Sequence, residues 1–83
     1  MAYMNKMVVP EDFTLNADGL YEYSIPASTH GLGIQCYMDR ALLRDENYNW
    51  ENTVTPYKIA QNGDFTFYVE EPGTYRVTLV KNE

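Results

Sequence analysis

From Phe65 to Val80 the chain alternates apolar and polar side chains with period two, interrupted by Glu71-Pro72-Gly73-Thr74. Successive side chains of a strand point to opposite faces, so this pattern marks two half-buried strands. Phe65, Phe67 and Val69 share one face of the first run. Tyr75, Val77 and Leu79 share one face of the second, opposite Arg76, Thr78 and Val80. Proline presets φ and glycine accepts a positive φ, so Pro72-Gly73 predicts a type II turn joining the runs as a β-hairpin. Asn62-Gly63 marks the turn that leads into the first strand.

The same reading applies upstream. Phe13–Leu15 and Leu20–Ile25 flank Asp18-Gly19 and predict a second hairpin, with Tyr21, Tyr23 and Ile25 on one face. Pro26 ends it, because proline cannot donate to a ladder. Ser28–Gly33 reads as a flexible connector. Gly31-Leu32-Gly33 begins a GxGxxG pattern, but Cys36 stands where the third glycine belongs, so nucleotide binding is not supported. Ile34–Asp45 fits both helical and strand spacing; the absence of a capping residue favours a strand over Ile34–Asp39, then a short strand or helical turn near Ala41–Arg44. Residues 45–53 read as a polar loop carrying Tyr48 and Trp50. Val54–Ile59 is a strand interrupted by Pro56, hence an edge. The expected fold is all-β: one small antiparallel β-sandwich or barrel of about six to seven short strands, Ig-like in kind. The domain covers residues 11–83, and residues 1–10 form an N-terminal arm or an edge strand.

Composition narrows the function classes. Eighty-three residues supply a thin core and little chain to line a catalytic cleft. The net charge of −6 argues against a nucleic-acid surface and against an anionic membrane. The acidic pairs Glu11-Asp12, Asp45-Glu46 and Glu70-Glu71 read as solvated surface, or as a mimic of nucleic-acid phosphates. Cys36 has no second cysteine to bridge, and reads as a small buried hydrophobe. No leader or membrane-spanning run is visible, so the expected site of synthesis is the cytoplasm.

The residues of chemistry are too few to assemble a reaction. His30 is the one histidine, and it reads as an exposed loop residue or one that bonds its own turn. One histidine and one cysteine do not make a metal site, and Asp45, Glu46, Asn47 and Asn49 lack the order of an EF-hand loop. The expectation is therefore no enzyme activity, no cofactor and no metal. Recognition is left to exposed apolar and aromatic residues: Met4, Met7 and Val8 of the N-terminal segment, and Tyr48, Trp50 and Tyr57. Trp50 has a second reading, as a plug that folds back into the core.

Four stretches carry a likeness: IPASTHGLG (Ile25–Gly33), IQCYMD (Ile34–Asp39), YKIAQNGDFTF (Tyr57–Phe67) and TYRVTL (Thr74–Leu79). In this order, across Phe13–Leu79, the chain resembles small β domains of tailed-phage virion accessory proteins. The resemblance implies a bacteriophage virion structural protein, a capsid-decoration or head or tail fibre component. It would be made in the bacterial host cytoplasm and act at the virion surface. Its partners would be phage capsid or tail proteins and further copies of itself. Two other functions fit the sequence: a carbohydrate-binding module stacking a cell-surface glycan on Tyr48, Trp50 and Tyr57, and an acidic inhibitor of a host nucleic-acid-binding defence protein.

Overall fold

A computed structural model describes residues 2–81. Eight strands run in chain order: β1 (Tyr3–Val8), β2 (Thr14–Leu15), β3 (Tyr21–Ile25), β4 (Cys36–Arg44), β5 (Trp50–Thr53), β6 (Tyr57–Ile59), β7 (Phe65–Val69) and β8 (Tyr75–Lys81). They form two four-stranded antiparallel sheets, ordered β1-β8-β4-β5 and β2-β3-β7-β6. The sheets face each other across one core, making a small all-β sandwich. Val8, Ile25, Phe65, Phe67, Val77 and Leu79 are its fully enclosed centre. Around it Phe13, Phe67 and Tyr75 meet edge to face, with centroids 5.6–6.4 Å apart, a geometry that aligns ring edges with ring faces.

The alternating runs bury the faces their periodicity predicts, yet they do not pair as a hairpin. β7 lies between β3 and β6, whereas β8 lies between β1 and β4. Residues 70–74 are thus an arch from one sheet to the other. Period two specifies which face is apolar and leaves the neighbouring strand open. Here both apolar faces look into one core from opposite sides. Gly73 is not among the glycines with positive φ, so no type II turn forms. Its lack of a side chain serves close packing instead. A Cβ there would sit 3.1 Å from Leu43 Cδ1 and 3.4 Å from Tyr75 Cε1. The Tyr75 hydroxyl donates to the Glu71 carbonyl at 3.1 Å and ties the arch to the strand that follows. A tyrosine bonding backbone a few residues upstream recurs at corners of Greek-key sandwiches.

Other segments also differ from expectation. Residues 36–44 form one strand, with a bulge between Met38 and Arg40, and no helical turn forms there. Long-range pairing with β8 decides what local periodicity left open. Ile34 precedes the strand and is exposed. Trp50–Thr53 belong to β5, so only Asp45–Asn49 remain as the turn. There the Asp45 carboxylate accepts from the amides of Asn47 and Asn49 at 2.9 and 2.8 Å. The N-terminal segment is β1, an edge strand hydrogen-bonded to β8 in register from Tyr3↔Val80 to Val8↔Tyr75.

The expected flexible connector contains a single helical turn, α1 (Ala27–His30), ended by Gly31 in the left-handed conformation. Asp64 Oδ1 accepts from the Ala27 amide at 2.8 Å. His30 is not exposed: it is buried and bonds both its own turn and a distant one. Its Nδ1 accepts from the Leu32 amide at 3.0 Å, so Nε2 carries the proton and donates to the Gly63 carbonyl at 2.7 Å. The histidine therefore staples α1 to the turn before β7.

Candidate interaction surface

The registers assign the paired strand residues to an inner or an outer face. On the sheet β1-β8-β4-β5, the inner row Met4–Leu79–Met38 continues into the core. The outer rows are Tyr3–Val80–Tyr37, Asn5–Thr78–Arg40 and Met7–Arg76–Leu42–Asn52, followed by Arg44–Trp50. Val80 is buried without belonging to the core cluster, as expected of an outward residue flanked by two tyrosines.

This placement sorts the expected binding residues. Val8 is fully buried and belongs to the core, which corrects its reading as a docking residue. Met4 points inward and packs against the core, also unlike a docking residue. Period two is the reason: Met4 and Val8 fall on one face of β1, and Met7 falls on the other. Met7 is exposed on the outer face. Trp50 is half-buried there, neither a loop residue nor a core plug. Tyr48 projects from the β4–β5 turn, 74% exposed, with φ of 63°. Tyr57 belongs to the other sheet, on its inner side opposite Phe67, with its ring stacked on Phe65 at 4.9 Å. Tyr48, Trp50 and Tyr57 therefore do not form one stacking platform.

The outer face also holds residues that sequence reasoning missed. All three arginines of the chain, Arg40, Arg44 and Arg76, lie on it. The Arg76 guanidinium sits 4.7 Å from the Trp50 ring centroid, and that of Arg44 sits 5.0 Å from the Tyr48 ring. Arg44 also donates to Thr74 Oγ1 at 3.5 Å. Cation–π stacking holds a guanidinium flat on a ring while its N–H edge stays free to donate. Arginine, tryptophan, tyrosine and methionine are the side chains enriched where proteins bind proteins. The opposite outer face is of another kind. It carries Glu22, Ser24, Thr66, Tyr68 and Lys58, with Ser24 and Thr66 hydroxyls bonded at 2.7 Å.

The reactive side chains are engaged in structure. Both ring nitrogens of His30 have backbone partners. Burial pushes the Cys36 thiol up from its usual range, partly offset by a backbone hydrogen bond. Among the described residues, no three His, Cys, Asp or Glu side chains converge as a metal site, and no buried side-chain nitrogen or oxygen lacks a partner. No family model, curated protein or solved structure matches the chain.

Proposed function

We propose that this chain is a non-enzymatic docking module of a tailed-phage virion, a capsid-decoration or fibre component that binds through the outer face of β1-β8-β4-β5. The observation that carries the docking reading is the gathering of Arg40, Arg44 and Arg76 with Trp50 and Met7 on that one face. The virion reading rests on the resemblance of residues 13–79 to phage accessory domains. The structural roles of His30 and Cys36 support a role without catalysis. The test is retention of the purified chain on assembled particles, with copy number measured. Trp50→Ser and Arg40→Ser should each lower retention while the sheet signal in circular dichroism stays unchanged. Undiminished retention of both variants would refute the assignment of the face.

A second reading is favoured by the charge of one end of the sandwich. The segments 9–13, 16–20, 45–49 and 70–74 join strands whose paired termini, Val8↔Tyr75, Tyr21↔Val69 and Arg44↔Trp50, lie together. These segments carry seven carboxylates and no lysine or arginine. An acidic end of this kind suits an inhibitor that enters the basic groove of a host nucleic-acid-binding protein. Binding to such a protein that survives the arginine substitutions would favour this reading over the first.

A further inference from the structure

The two charged regions belong to one molecule. The strands of the sheet β1-β8-β4-β5 carry five of the six basic residues, Lys6, Arg40, Arg44, Arg76 and Lys81. Of the twelve carboxylates, Asp39 and Glu51 lie on these strands, and Glu83 lies outside the described residues. The other nine accompany a single base, Lys58. Seven of the nine sit in the acidic end segments. Lys6 and Lys81 register with the buried Val77 and Cys36, so the outer face itself holds the three arginines, and the protein combines this cationic aromatic face with an acidic end.

We infer that the arginine face takes the acidic end of a second copy of this chain, head to tail; this rests on the docking reading above and names the occupant of that face. Charge complementarity selects this arrangement over the alternatives. A two-fold contact between identical faces would set three arginines against three arginines, and like charges at an interface are penalised. Pairing through the free edge of β1 is opposed by Lys6, whose register partner Val77 is in the core, so a charge points inward at the middle of that edge. A head-to-tail contact uses two different surfaces of each copy. It grows into open chains, or closes into a ring if the rotation allows. The Arg76 guanidinium over Trp50, with Arg40 on the same face, supplies donors for the Glu70 and Glu71 carboxylates of the next copy.

Sedimentation velocity of the whole chain over a concentration series tests this. It is run at about 0.1 M salt, where a Debye length of about 10 Å screens the mutual repulsion of the net charges, and at about 1 M, where contact pairs are weakened too. The expected result is concentration-dependent association at the lower salt, weakened at the higher. Arg40→Ser/Arg76→Ser removes the face, and Glu70→Gln/Glu71→Gln removes the end. Each double variant should associate at least about tenfold more weakly alone. Mixed, they should form a one-to-one pair that grows no further, because only one competent face and one competent end remain. A wild-type chain that stays monomeric throughout overturns the inference. So does association that survives either double variant, or variants that fail to complement. If the wild-type chain is monomeric while the arginine variant still loses retention on particles, the docking reading stands and the head-to-tail contact alone falls.

Discussion

Replacing Tyr75 by phenylalanine isolates the bond that ties the arch between the sheets. The ring itself is anchored by Phe13 and Phe67, at centroid distances of 5.6 and 6.4 Å, and the substitution leaves that packing in place. What goes is the hydroxyl donating to the Glu71 carbonyl at 3.1 Å. Glu71 is exposed, so water can reach the freed carbonyl, and the loss at neutral pH is that of one ordinary hydrogen bond, about 1 kcal/mol. For a domain of this size that is roughly a 4–8 °C fall in Tm. The bond also predicts a pH dependence. Burial first, and the Glu71 charge second, raise the Tyr75 phenol above its usual range. An acid whose folded pKa is raised stabilises the fold fully below its unfolded value, about 10, and loses that contribution as pH rises through the folded value. Urea unfolding of both proteins between pH 7 and 11 should give a constant gap below about pH 10 that closes above it. The other seven tyrosines are common to both proteins, so the difference between them isolates Tyr75. No gap at pH 7, or a gap unchanged at pH 11, would refute the reasoning.

Three further outcomes are expected. Val8→Ala should cost about 2 kcal/mol, and deletion of residues 1–9 should unfold the domain by calorimetry, not merely free a docking arm, since Val8 is fully buried on β1. His30→Ala should cost about 2–4 kcal/mol in chemical denaturation, because the Leu32 amide and the Gly63 carbonyl lose their buried partner together. Cys36 should resist iodoacetamide in the native protein at pH 8 and react once urea unfolds it; burial both blocks access and raises the thiol, so fast native labelling would contradict its place in the core.

Which faces are buried was legible in the sequence, as was the β2–β3 hairpin, whereas the neighbours of β7 and β8 were not. Phe65, Phe67 and Val69, and Tyr75, Val77 and Leu79, are buried as their spacing requires. The same spacing serves a hairpin or an arch, and a Pro-Gly pair interrupts both. His30 bonds its own turn, as one of its two readings has it, but its burial and its bond to Gly63 leave no local signal, because a four-residue helical turn has no periodicity to read. The polar neighbours of Trp50 read as a loop, although an edge strand with an outward face needs no apolar alternation. The arginine face is hidden for a related reason. Arg40, Leu42 and Arg44 do share period two, but Arg76 joins them only through the register of β8 on β4.

That register has a consequence in time. Among the described residues β1 pairs with β8 alone, from Tyr3↔Val80 to Val8↔Tyr75, so it closes a loop of nearly the whole described chain. Closing so long a loop is entropically late, whereas β4–β5 and β6–β7 need only short turns. The expected order is therefore hairpins first, β8 across β4 next, and β1 last, as the piece that seals the sheet. Substitutions in β1 should then speed unfolding and leave the folding rate nearly unchanged, with φ-values near zero in stopped-flow kinetics. Until β1 arrives, one edge of β8 stands open, and this interval is when the β1 of another copy could take its place.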